Sequence, residues 1–395
     1  MAIWKRPVPM LLHSRPAKVL ALAAALSLSI VQPASSAKPV PGKDIFRFDT
    51  FGDEQLWTDT LRIHEVIAAS VSPVAALAVG LKVDAEALPP GFLATHDLND
   101  PATTVELIRR RAVVGLVGKV TGGRLRTLGV TCALCHSTVD DSVAPGIGRR
   151  VDGPGNRDLN PGAIIALSPN VTDAQRAVYN SWGPGRYDAR FNIDAINGPV
   201  LIPAASGLQG VGFETYTGDG PISYWNNYVA VTQMGGHGSF SDSRLGISIT
   251  QTPDLVIAKL PALLSYQLSL RTPPAPAGSF DSAAADRGRQ VFQESARCAS
   301  CHMAPTYTDV LTGPDPSVPL LHDPSETGME LVHASRSATG QYRTTPLRGL
   351  ARHPPYFHDG SAANLAAVVE HYNQVLALGL SASQKADLVE FLNSL

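Results

Sequence analysis

Apolar positions along the chain recur at helical spacing in several blocks, separated by long intervals rich in glycine and proline. Residues 19–31 form an uncharged apolar run. Over residues 44–98 the period is mostly helical: Trp57, Leu61, His64 and Ala68 share one stripe, and Pro89-Pro90-Gly91 closes the segment. A histidine on such a stripe, His64 here, reads first as core. A second helix is predicted from Thr103 or Thr104 to about Val114, with Glu106 as a capping-box partner. Gly122-Gly123 then predicts a tight turn, and residues 124–130 a short strand. Residues 144–158 and 182–220 read as irregular loops, and residues 224–231 are aromatic-rich. Residues 254–270 form an apolar helical stretch that Pro261 should kink. Toward the C-terminus, residues 283–294 place Gly288 and Phe292 on one helix face, and residues 381–395 place Leu388, Phe391 and Leu392 on another. Gly288 has no side chain, so the terminal helix can cross closely there and seat Phe391 or Leu388.

Composition sharpens this picture in three respects. The hydrophobic fraction of 44% is enough for real cores, while 34 glycines and 31 prolines in 395 residues leave much of the chain in loops. A net charge of −2 offers no polyelectrolyte argument for nucleic acid. Lys5, Arg6, Arg15 and Lys18 precede the apolar run and Ala34-Ser35-Ser36-Ala37 follows it, the layout of an export signal cleaved near Ala37 or Lys38. The run is shorter than the roughly 20 apolar residues a spanning helix needs, so no membrane association is expected after cleavage. The alternative is an uncleaved anchor. The expected division is a signal over 1–37, a first unit over 38–270, a stiff proline-rich connector over 271–278 and a last unit over 279–395.

The chemistry lies in two short boxes, Cys132-Ala-Leu-Cys135-His136 and Cys298-Ala-Ser-Cys301-His302. Cys-x-x-Cys-His is the attachment signal for c-type haem. Two intervening residues put both sulfurs on one side of a helical turn, where they can form thioethers with one porphyrin, and the next histidine supplies the proximal ligand. A four-sulfur zinc site is the blander reading, but the pairs are far apart and each is followed by its own histidine. The boxes use all four cysteines, which leaves none for disulfides. Two covalent haems are therefore expected, and with them redox chemistry in the periplasm. Arg149, Arg150 and Arg157 in the loop after the first box are candidates to meet haem propionates. Phosphate cradling by that loop is disfavoured, because no strand-fed G-x-x-x-x-G-K-[ST] is present.

Tyr342-Arg-Thr-Thr-Pro-Leu-Arg-Gly-Leu350, then Pro355-Tyr-Phe-His-Asp-Gly-Ser361, a helix through Tyr372 and the terminal helix together resemble the bacterial di-haem cytochrome c peroxidase and MauG superfamily. The likeness covers residues 279–395 well and the earlier part only in outline. It implies a mainly α fold of two cytochrome c-like haem domains with long loops. It also implies oxidant chemistry at the first haem and electron delivery through the second. A calcium ion near residues 352–355 is implied in the same way, as are peroxide or another small oxidant and a small redox protein or quinol-linked donor. Tyr372 falls where the peroxidases carry a methionine ligand and MauG-type proteins a tyrosine; Met329, His358 and His371 are rivals for that position. The first haem departs from the pattern. Residues 139–161 contain no histidine, and Gln233-Met234 stands where a glutamate precedes a methionine, so the usual proton handler is missing. Met234 or His237 is expected to cap or line this iron, and His237 is the candidate acid–base group. Trp182 and Trp225 are candidates for an inter-haem relay. The rival functions are a non-catalytic electron carrier and a MauG-like oxidase of an organic or protein substrate.

Overall fold

The computed structural model describes residues 40–395; the segment expected to be an export signal lies outside the described residues. The architecture is mainly α, with strands of two to seven residues confined to two-stranded ladders. Helix α1 (Gly42–Phe48) is followed by a π-turn over Gln55–Thr60 and by α2 (Ile63–Ser70). The single stripe expected across this region is thus broken. Arg62 between the two pieces adopts a left-handed φ of 54°, which ends one run and restarts the other. Helix α3 (Pro101–Arg109) begins two residues earlier than expected, because Asp100 caps it by accepting from the Ala102 amide and proline is favoured in the first turn. Glu106 is consequently mid-helix and pairs with Arg109 and Arg110 instead of closing a capping box.

The hairpin β1 (Leu116–Thr121) and β2 (Arg124–Val130) turns at Gly122-Gly123, both at positive φ, and delivers the chain into the first box. Past the box, β3 (Ser137–Val139) pairs with β4 (Arg150–Asp152), so the expected loop over 144–158 is partly laddered. A further pair, β5 (Arg186–Tyr187) and β6 (Val200–Leu201), precedes α4 (Ile222–Thr232). Helix α5 (Leu260–Ser269) follows a 3-10 turn over Ile257–Lys259 and carries Pro261, expected as a mid-helix kink, in its first turn. At the first turn the missing N–H of Pro261 has no helical partner to lose, so the helix begins there unkinked.

Two buried clusters result. The larger draws on residues from Ile45 to Leu263 and the smaller on residues from Val291 to Leu392, with residues 271–278 carrying no helix or strand between them. In the smaller cluster α8 (Ala382–Ser394) packs on both α6 (Ser282–Gln293) and α7 (Leu365–Val375) beside the second box. The α6–α8 crossing is close, since an ideal Cβ at Gly288 would stand 1.9 Å from the Asp387 carbonyl oxygen and 2.9 Å from the Phe391 Cβ. Phe292 meets Phe391 edge-on at 5.1 Å, as the spacing of the two stripes predicts.

Polar contacts join the two parts. Arg336, 3% exposed, donates to Asp188 at 2.8 Å and to Asp194 at 2.7 Å. The Arg343 guanidinium donates to the Thr215 and Glu214 carbonyls, and the Leu201 amide to the His358 carbonyl.

Candidate functional site: two histidine-bearing cysteine boxes

The first box is seated by its surroundings. The Thr131 amide donates to the Gly115 carbonyl and its hydroxyl to the Arg47 carbonyl, which aims the chain into the helical turn Ala133–His136. Gly115 has φ +81°, and an ideal Cβ there would lie 2.2 Å from the Leu134 backbone, so the turn packs on bare glycine. His136 Nδ1 is 3.0 Å from the Pro203 carbonyl. A carbonyl oxygen only accepts, so Nδ1 carries the proton and Nε2 keeps its lone pair for a metal. His302 repeats the arrangement, with Nδ1 2.9 Å from the Tyr307 carbonyl. Burial pushes His136 down to about 4 and His302 below the usual imidazole range, which favours the neutral, ligating form of both. All four cysteine sulfurs are free.

The second box opens on a cavity of about 330 Å³ whose lining is mostly apolar, Phe292, Leu365, Val369, Leu388 and Leu392 among it. Tyr372 faces into it from α7. Burial, and then the nearby Cys298 and Cys301 sulfurs, push its phenol up to about 12. Among the described residues the Tyr372 hydroxyl has no hydrogen-bond partner. The rivals differ: His371 Nε2 is taken by the Thr327 carbonyl at 2.8 Å, and His358 Nε2 by Glu330 at 2.8 Å. Met329 lines the cavity as Tyr372 does.

One residue links the two boxes. Pro203, whose carbonyl accepts from His136, is also part of the wall of the second box's cavity. The expected tryptophan relay is not on that wall. Trp182 is buried in the larger cluster and donates to Asn197, while Trp225 stacks on Tyr228. Of the three candidate arginines, only Arg157 reaches the cavity. Arg149 is exposed and paired with Asp140, and Arg150 is buried beside Asp84 and over the Phe48 ring.

The residues expected around the first iron are ordered by their own contacts. Gln233 accepts from the Tyr187 hydroxyl at 3.2 Å and donates to Asn192 at 3.0 Å, which commits both ends of its amide. Gln233 and Tyr187 face a small space of about 50 Å³ walled by Trp57, Tyr179, Trp182 and Phe191. Met234 is buried, and its carbonyl accepts from Trp57. His237 is held by its backbone between Phe51 and Leu255. His64 lies on α2 with Nδ1 buried and unpartnered.

Two groups near the boxes had no sequence signal, because their members come from distant loops. His322 sits between Asp309 and Glu326 at 3.0 Å each, beside Cys301. Asp53 is fully buried near the first box and accepts from the Val130 amide.

Against known proteins, no family model matches the chain. It is 31% identical over 140 residues to the cytochrome-c peroxidase IdrP2 of Denitromonas iodatirespirans, covering 27% of this chain and 38% of that one. IdrP2 of Pseudomonas sp. (strain SCT) is 31% identical over 173 residues, covering 34% and 47%. The methylamine utilization protein MauG of Methylorubrum extorquens is 29% identical over 159 residues, covering 34% and 42%. Over these stretches the chain is similar to cytochrome c peroxidases and to MauG. It spans under half the length of these relatives. Solved structures overlap it weakly: a hydrazine synthase of Kuenenia stuttgartiensis at TM-score 0.32 and 18% identity, covering 50% of this chain and 73% of that one. A MauG-like protein associated with microbial copper homeostasis follows at TM-score 0.28 and 19% identity, covering 37% and 55%.

A covalently bound c-type haem, the group this superfamily implies, fits the second box on its own geometry. The cavity is apolar, the two sulfurs are free, and a histidine with a fixed tautomer points Nε2 away from its anchoring carbonyl. The first box has the same donor set and the same histidine anchor.

Proposed function

We propose that the chain is an exported, periplasmic two-haem oxidoreductase of the peroxidase type. It draws electrons from a small redox protein or quinol-linked donor and passes them to peroxide or another small oxidant. The net reaction consumes two electrons and two protons per peroxide and yields two waters. In this reading residues 38–270 hold the first haem and residues 279–395 the second, joined by 271–278. The observation that carries it is the shared wall: Pro203 is both the anchor of His136 and part of the cavity of the second box. When bound, each haem supplies an iron that takes up and releases single electrons.

The chain's own residues then have distinct roles. Cys132, Cys135, Cys298 and Cys301 fix the groups by thioether bonds. His136 and His302 present Nε2, each oriented by a backbone carbonyl. Tyr372 would be the chain's further ligand to a haem at the second box; its hydroxyl, without a hydrogen-bond partner among the described residues, and its place in the crevice support it over His358 and His371. Gln233 positions the Tyr187 hydroxyl, with Met234 and His237 beside it as lining residues, so that Gln233 orients rather than transfers a proton. Calcium rests on the resemblance alone and enters no step. Tyr372 also favours a second reading, a MauG-like oxidase, since an anionic oxygen ligand stabilises the higher oxidation states of iron. Among the described residues no helix is long and apolar enough to cross a membrane.

The test is peroxide-dependent oxidation of a reduced small cytochrome or cupredoxin by the purified two-haem protein. Turnover supports the proposal. Spectra indifferent to peroxide and carbon monoxide in every redox state reduce the protein to an electron carrier.

A further inference from the structure

Arg157 is a half-buried cation with no carboxylate beside it among the described residues. Its Nη1 is shielded from solvent and has no hydrogen-bond partner, and it lines the large cavity together with Pro203 and the second box. The Tyr216 hydroxyl is in polar contact with the guanidinium and Arg186 is nearby, and neither supplies the charge of a carboxylate. Asp158, next in sequence, points elsewhere and is taken by Lys82. A second donor faces the same space: His353 lines the cavity, and no hydrogen bond occupies its ring nitrogens among the described residues. A guanidinium nitrogen shielded from water and left without an acceptor is unfavourable. Folds keep such groups when a ligand supplies the missing charge.

We propose that Arg157 and His353 form a carboxylate-binding site in the cavity between the two boxes, with Arg157 providing the charge and His353 a second donor. A planar guanidinium offers two parallel N–H groups to a carboxylate, which a lysine cannot reproduce. Two sources have this chemistry: a propionate of the haem at the second box, or a small free carboxylate entering the cavity. The site rests on the reading that the second box carries haem. It gives Arg157 a role in the redox balance, because a fixed positive charge beside the group favours the reduced form.

The experiment uses the full two-haem protein, with haem content checked first so that loss of haem is told apart from loss of the site. Both haem potentials are measured by spectroelectrochemistry for the wild type, Arg157→Gln and Arg157→Lys, with and without added acetate or succinate. If a propionate is the occupant, Arg157→Gln lowers the reduced-to-oxidised ratio of the second haem at fixed potential about tenfold, about 59 mV. Arg157→Lys then recovers most of the shift, and added carboxylate has no effect. If a free carboxylate is the occupant, the wild-type spectrum and potential respond saturably to succinate and those of Arg157→Gln do not. A loaded Arg157→Gln protein whose potentials match wild type, in a background where carboxylates also do nothing, overturns the site.

Discussion

Gly288→Ala tests whether the crossing of α6 and α8 closes the second crevice as described. An ideal Cβ at this position falls 1.9 Å from the Asp387 carbonyl oxygen and 2.9 Å from the Phe391 Cβ. Ordinary contact begins near 3.4 Å, so the helices must part by about 1.5 Å, and the obstacle is backbone that cannot rotate away. Alanine is the better helix former by about 1 kcal/mol, which works against the clash. Overpacking of a fitted core costs typically 1–3 kcal/mol, more where backbone must move, and the separation also loosens the Phe292–Phe391 contact. The net expectation is a loss of about 1–2 kcal/mol, a fall in Tm of roughly 5–10 °C for a unit near 100 residues. Thermal unfolding followed at the absorbance of the second haem measures it, with the first haem as internal reference. A variant as stable as wild type at the second haem refutes the close crossing.

Tyr372→Phe should change the spectrum and ligand reactivity of one haem and leave the other untouched; identical spectra would remove the axial assignment. Arg336→Leu leaves Asp188, which is 2% exposed, without its cation, and should cost about 3–5 kcal/mol, read as a lower denaturant midpoint. The His322 imidazolium, held by Asp309 and then Glu326, titrates near 9 against 6.5 when free. Its stabilisation is complete below pH 6.5 and disappears as pH rises through about 9. A denaturation series over that window should show the loss in wild type and a flatter profile in His322→Gln. Burial raises the Asp53 carboxyl from 3.8 to about 9, so the folded chain keeps a proton that the unfolded chain releases and stability falls with pH between those values. Asp53→Asn should be at least as stable as wild type at pH 8; a clear loss there would show that the carboxyl is not held neutral.

The parts of this molecule that chain-local patterns could reveal are those made by short-range rules. The boxes, the Gly122-Gly123 turn with its strand, and the Gly288–Phe391 crossing each depend on spacing within a few residues or on two matched stripes. The failures have equally local causes. Pro261 falls midway along the apolar stretch yet stands in the first turn of its helix, and a proline's effect reverses between those positions. Glu106 has the spacing of a cap partner, but Asp100 caps the helix, which starts two residues earlier than expected, and this leaves Glu106 in mid-helix. Arg149 and Arg157 are indistinguishable in composition, and only the fold of the loop sends one to solvent and the other to the cavity. The His322 triad and the Pro203 link unite residues from separate loops, where no period exists to be read. The Tyr187–Gln233 pair spans 46 positions and was invisible for the same reason.

Two covalently held haems, one at each box, are the premise of the whole account, and the intact mass of the exported protein tests it most directly. The expected result is the mature polypeptide plus two haem masses, with Cys132→Ala/Cys135→Ala and Cys298→Ala/Cys301→Ala each lighter by one haem. A mass equal to the bare polypeptide, or a single haem that survives in both variants, would contradict it.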